Sequence, residues 1–104
     1  MEYKFLADLK DEIAIPEKGI LSRVIQKDES VNITLFAIAA GEEISAHSAP
    51  TPAILYFLEG EAVVQLGDDV VDAQPGSFAF MPPMLPHGIS ARRATRMLLV
   101  QLKR

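Results

Sequence analysis

Two stretches constrain this chain more than any others: Gly41 to Gly60, GEEISAHSAPTPAILYFLEG, and Gly76 to His87, GSFAFMPPMLPH. Each opens on a glycine, runs for five residues, and then meets a residue that redirects the chain, His47 in the first and Pro82 in the second. Pro50 and Pro52 follow His47, and Pro82, Pro83 and Pro86 precede His87. Proline has no N–H to give to a β-ladder, so these segments read as bends and not as ladder strands. His47 and His87 are the only two histidines in the sequence, and each lies beside one of the bends.

The rest of the chain reads as short strands around these bends. Residues 1–19 form an N-terminal arm, in which Phe5, Leu6, Leu9 and Ile13 recur at mixed three- and four-residue spacing. A short helix and a strand followed by a turn both fit that spacing, and Pro16 and Gly19 end the segment. An arm of this kind packs on the body of its own domain or on a second subunit. From Ile20 the pattern becomes strand-like: ILSRVIQK (20–27), VNITLFAIA (31–39), EISAH (43–47) and AILYFLEGEAVVQLG (53–67) are rich in β-branched and alternating residues. In a regular strand Glu43, Ser45 and His47 share one face, and Ala53, Leu55 and Phe57 share another. Gly67-Asp68-Asp69 signals a hairpin before VVDAQ, and Pro75-Gly76 suits the centre of a type II turn. SFAFM (77–81), HGISA (87–91) and TRMLLVQL (95–102) complete the set. Strands spaced at roughly eight to ten residues with turns between them predict an all-β fold, an antiparallel sandwich or barrel over residues 20–104.

Composition narrows the function classes. A chain of 104 residues is one domain with one modest core. The net charge of −4 disfavours nucleic acid as a partner, and the single basic cluster, Arg92, Arg93 and Arg96, reads as a solvated hairpin loop. The absence of cysteine excludes disulfides, thiolate metal sites and a cysteine nucleophile. No apolar run approaches the ~20 residues that span a bilayer, and acidic residues interrupt MEYKFLADLKDEI, so it does not read as a signal peptide. The expectation is a cytoplasmic protein with neither nucleic acid nor membrane as a partner.

The glycine, histidine and proline positions resemble the two signature motifs of the cupin superfamily, the small RmlC-like β-barrels. Gly41, His47, Gly60, Gly76, Pro82 and His87 match in type and spacing. The resemblance implies a jelly-roll barrel with both histidines pointing into it, and a homodimer formed through the sheets. The family usually holds one divalent metal with three histidines and one glutamate. Here the second histidine position is Ala49 and the glutamate position is Ala53, while the second-motif glycine and asparagine positions are Met84 and Ala91.

Only His47 and His87 therefore remain as metal ligands. Two neutral imidazoles supply no charge, and a divalent ion in a dry pocket stays uncompensated; a catalytic zinc site normally has three protein ligands. Substitute ligands are poor. Glu43 lies about 13 Å along a strand from His47, Glu59 is similarly far from Ala53, Gln65, Gln101 and Ser45 are neutral, and the thioethers of Met84 and Met97 suit copper(I) better than zinc or iron. The alternative is a small-molecule pocket in the barrel, lined by His47, Ala49, Ala53, Leu55, Phe57, Met84, His87 and Met97, with Phe78, Phe80 and Met81 as further apolar wall. The reading is a barrel protein that binds a small molecule and holds one divalent transition metal weakly at two histidines. The alternatives are a metal-dependent enzyme of the dioxygenase or isomerase type, and a dimer without a working site.

Overall fold

The structure, a computed structural model, describes residues 1–103. A short 3-10 turn at Leu9–Glu12 leads into nine strands: β1 (Ile20–Lys27), β2 (Val31–Ile38), β3 (Glu43–His47), β4 (Ala53–Glu59), β5 (Ala62–Leu66), β6 (Asp69–Ala73), β7 (Phe78–Met81), β8 (His87–Ala91) and β9 (Thr95–Leu102). They form two antiparallel sheets. One has the order β1-β2-β9-β4-β7 and the other the order β3-β8-β5-β6. Consecutive strands cross between sheets at β2–β3, β3–β4, β4–β5, β6–β7, β7–β8 and β8–β9, and this closes the jelly roll.

The interior is built by the alternation of each strand. Ile38, Ala53, Leu55, Phe57, Ala62, Val64, Ala73, Met81, Ile89, Ala91 and Met97 form one buried cluster between the sheets. A second, smaller cluster lies on the outer face of the five-stranded sheet. There Ile13 and Ile15 of the arm cover Leu35, Ala37, Leu58 and Leu98. This is why β2 becomes apolar on both faces toward its end: one face meets the barrel core and the other meets the arm. Arg96 fastens the arm by donating from Nε to the Ile13 carbonyl at 2.8 Å while pairing with Glu59. The basic cluster is neutralised throughout, because Arg92 pairs with Asp72 at 3.0 Å and Arg93 with Glu61 at 3.4 Å. Among the described residues, no helix is long and apolar enough to cross a membrane.

Two expectations are corrected. Glu43, Ser45 and His47 do not share a face, because β3 carries a register shift between Ile44 and His47 in its pairing with β8. The extra residue puts His47 on the same side as Ile44, facing the barrel. Phe78 and Phe80 are not part of the interior wall. Ala79 packs against the core cluster and Met81 belongs to it, so alternation turns both phenylalanines outward, where they are 64% and 55% exposed.

Gly41, Gly60 and Gly76 make the sheet-crossing turns at one end of the barrel, all with positive φ. Gly60 is the most constrained of them. A Cβ there would lie 2.3 Å from the Ala94 carbonyl oxygen and 2.7 Å from the Thr95 Cα, both backbone atoms. Gly60→Ala is expected to destabilise the fold by about 3 kcal/mol or more. Gly76→Ala meets nothing within 4 Å and is expected to cost only the left-handed penalty, about 1–2 kcal/mol. Urea unfolding of the two variants side by side checks the difference, and equal losses would contradict it.

Candidate functional site

At the end of the barrel opposite these turns, β3 runs out at His47 and β8 begins at His87. The two residues are direct cross-strand partners. Their ring centroids are 4.3 Å apart, with the planes tilted by 55°. His87 is 7% exposed, whereas His47 lies open to solvent. Each Nδ1 faces the backbone carbonyl two residues earlier, Ser45 O at 3.0 Å for His47 and Leu85 O at 2.9 Å for His87. A carbonyl oxygen can only accept, so each Nδ1 carries the hydrogen. Each Nε2 of the neutral ring is then left with a lone pair, and among the described residues neither Nε2 has a hydrogen-bond partner. Two acceptor nitrogens are thus held side by side by the backbone itself.

The proline-rich bends form the rim. Residues 48–52 lead from β3 to β4, residues 82–86 lead from β7 to β8, and the two bends are joined by Met84 N–H donating to the Ala49 carbonyl at 2.7 Å. Gly67 N–H donates to the Pro86 carbonyl at 2.8 Å and ties the β5–β6 turn to the same rim. On the opposite sheet, the rung at this end runs through Lys27, Asn32, Gln101, Ala53 and Met81, aligned by register across β1, β2, β9, β4 and β7. Asn32 and Gln101 have the parity of Phe36 and Met97, which pack in the core. Asn32 Nδ2 donates to Gln101 Oε1 at 3.2 Å. Asn32 Oδ1 is buried and has no partner, the one such side-chain atom among the described residues. An unpaired buried carbonyl costs about 1–3 kcal/mol, so this atom calls for a physical reason. Sequence reasoning weighed Gln101 as a substitute ligand but passed over Asn32. Its signal was an amide at an inward-parity position of a largely apolar strand.

The turn before Asn32 is held by the Asp28 carboxylate. Asp28 accepts from the N–H groups of Ser30 at 2.8 Å and Val31 at 3.1 Å. The Ser30 N–H is the main reason that its carboxyl titrates below the ordinary value of 3.8, with Gln26 and Val31 adding to it. The sign follows directly. The charged carboxylate supports the turn at neutral pH, and that support is lost as pH falls through the depressed value.

The expected pocket residues separate into two groups. His47, Ala49, Ala53, Met84 and His87 lie at the mouth. Leu55, Phe57 and Met97 are 1%, 3% and 1% exposed. They are close-packed core and leave almost no surface for even a water molecule to touch, so they do not line an open pocket. Of the expected residues, only His47, Ala49 and Met84 keep appreciable accessible surface. Two other concavities lie elsewhere: a groove of about 730 Å³ beneath the arm, lined by Tyr3, Phe5, Ile25 and Leu98, and a shallower one of about 360 Å³ on the outside of the four-stranded sheet.

The substitute metal ligands separate in the same way. Glu43 is exposed, opposite Ser90. Glu59 is engaged by Arg96. Gln65 donates to the Gly67 carbonyl and, with Ser45, lines the outer concavity. Met97 is buried in the core. Among the described residues no group of three or more histidine, cysteine or acidic side chains could hold a metal ion. A resident divalent metal does not fit this donor set, since two neutral imidazoles provide neither the ligand number nor the charge.

A family model described as "Cupin domain" matches residues 34–101. The chain belongs to the cupin family. No curated protein matches it in sequence. Among solved structures, a conserved protein of unknown function from Streptococcus pyogenes is 32% identical, with a TM-score of 0.89 over 100% of this chain and 91% of that one. A cupin superfamily protein from Desulfitobacterium hafniense is 26% identical, with a TM-score of 0.90 over 100% of this chain and 95% of that one.

One departure from the cupin pattern has a measurable cost. Met84 stands where the family has glycine, and its φ of +70° is the only positive value at a non-glycine residue among those described. A Cβ in this region costs about 1–2 kcal/mol, while glycine loses about 0.5–1 kcal/mol in backbone freedom. Met84→Gly is therefore expected to stabilise this cupin by up to about 1.5 kcal/mol. A lower urea midpoint for the variant would mean that the exposed Met84 side chain gains more at the rim than its backbone loses.

Proposed function

We propose that this cupin holds a small organic molecule at the barrel mouth through His47 and His87, and that it binds divalent metal there only weakly. The carrying observation is the pair of imidazoles whose Nδ1 atoms are anchored to Ser45 O and Leu85 O while both Nε2 lone pairs stay free. Anchoring of this kind fixes the tautomer and the ring orientation, and is what an imidazole needs in order to present Nε2 to a ligand. Ala49 and Ala53 stand where the family carries larger ligating side chains. A divalent ion at the pair would take its remaining ligands from solvent.

Native mass spectrometry of protein purified without affinity tag or chelator tests this reading. A small organic adduct that survives EDTA treatment, and is lost in the His47→Ala/His87→Ala variant, is the expected result. Near-stoichiometric metal that resists dialysis and disappears in the variant would overturn it in favour of a metal-dependent enzyme. A double variant that changes stability alone would favour the dimer without a working site.

We also propose that the protein is a homodimer joined through the outer face of its five-stranded sheet. Cross-strand pairs Tyr56–Phe78 and Ile54–Phe80 place aromatic and aliphatic side chains together there. Tyr56, Phe78 and Phe80 remain 39%, 64% and 55% exposed, more aromatic surface than a solitary sheet face ordinarily leaves to water. Light scattering should give twice the chain mass, and Phe78→Glu with Phe80→Glu should reduce it to the monomer. A monomeric wild type at micromolar concentration would refute the pairing.

A further inference from the structure

The arm gives the outer face of the five-stranded sheet a step. Two outward rungs cross that face. One runs through Leu35, Leu98, Tyr56 and Phe78, and its neighbour through Ile33, Val100, Ile54 and Phe80, aligned by register across β2, β9, β4 and β7. Neither rung carries a charged residue between β2 and β7. Over β1, β2 and β9 the arm adds a second layer. Ile13 and Ile15 join Leu35 and Leu98 in one cluster, Lys4 donates from Nζ to the Ile25 carbonyl, and residues 2–6 roof the groove of about 730 Å³ above Ile25, Ile33 and Leu98. Over β7 and the Tyr56 stretch of β4 that layer is missing, and Tyr56, Phe78 and Phe80 stay exposed.

The raised half is as apolar on its solvent side as the bare half. Tyr3 and Phe5 stand on the arm and are 91% and 77% exposed. One half of the face is thus high and the other low, and both present aromatic rings. β9 is the middle strand of the five. A twofold axis along β9, in the plane between two facing copies, sets the high half of each copy against the low half of the other. Such a contact is isologous and closes at two subunits. The five aromatic side chains average about two-thirds exposed and offer roughly 650 Å² per protomer at ~200 Å² each. The partly exposed Ile54 and Val100 between them add to this, which brings the surface near the roughly 800 Å² per partner of a stable interface.

We infer that the arm docks a second copy of this chain, with Tyr3 and Phe5 of each protomer covering Tyr56, Phe78 and Phe80 of its partner. This rests on the reading of the outer sheet face as the dimer interface, and adds the element that reaches across and the axis that lets both arms do so.

The chain has no cysteine, so Glu2→Cys takes a single nitroxide spin label beside Tyr3 and leaves both aromatic residues in place. Spin-labelled protein is mixed with nitrogen-15 protein and left to exchange subunits, so every paramagnetic broadening comes from across the interface. The amides of Phe78 to Met81 and of Tyr56 are expected to broaden most, with the effect falling toward β1. Broadening centred on Ile25 and Ile33 would place the arm in the partner's groove and overturn the docking. A dimer by light scattering without any broadening refutes the arm's part and leaves the dimer reading standing, while a monomer refutes both. Tyr3→Ser with Phe5→Ser removes no buried side chain and is expected to raise the dimer dissociation constant at least roughly tenfold, with an unchanged backbone spectrum for the strands. Dimerisation as tight as that of the wild type would also refute the arm's part.

Discussion

The pairing of β3 with β8 is the constraint on which the site depends. His47 faces the barrel only because β3 carries an extra residue between Ile44 and its histidine, and the partner strand must let that bulged backbone come close. Gly88, immediately after His87, makes this possible: a Cβ there would stand 3.1 Å from Ala46 N and 3.2 Å from Ile44 O. The same dipeptide therefore supplies one of the imidazoles and the clearance that turns the other one inward. Bulges re-aim side chains beside functional sites in many sheets. Here the re-aimed residue meets its cross-strand partner at a ring separation of 4.3 Å.

The interior and the mouth obey different rules. Between the sheets, Leu55, Phe57, Val64, Met81 and Met97 interlock with almost no accessible surface, so that region contributes stability and no ligand space. The arm adds a second layer of burial on the far side of the five-stranded sheet, with Arg96 joining Ile13 to Glu59. At the mouth several positions depart from the regular pattern. Alanines stand at two positions where cupins commonly carry ligands, a methionine sits in a left-handed conformation on the rim, and one amide oxygen is buried without a partner. Departures from good local structure gather where a protein does something other than fold. Their clustering around His47 and His87 supports a site here more strongly than any one of them does.

Much of the fold was legible in the chain before its structure. The turn glycines and the prolines of the two bends punctuate short alternating strands, because positive φ and missing N–H groups act locally and are carried by residue type. The Gly67-Asp68 hairpin and the Pro75-Gly76 turn follow from the same local chemistry, with Leu66 opposite Asp69 and Ser77 N–H bonded to the Gln74 carbonyl. The family pattern carried further, to the jelly roll and to two inward histidines. It also showed which ligand positions are missing, since those are identities at known spacings.

Tertiary structure decided the rest, because the rest depends on which strands meet. A one-residue bulge reverses the face of everything beyond it, so no periodicity in EISAH could place His47. Whether an apolar residue lines a pocket or fills a core depends on what stands opposite it, and this removed Leu55, Phe57 and Met97 from the ligand space and turned Phe78 and Phe80 outward. Asn32 and Gln101 lie 69 residues apart in sequence and become neighbours only through the register of β2 on β9. The sequence determined that this chain is a small barrel with two histidines and no acidic ligand beside them. The three-dimensional pairing of its strands determined what those histidines face.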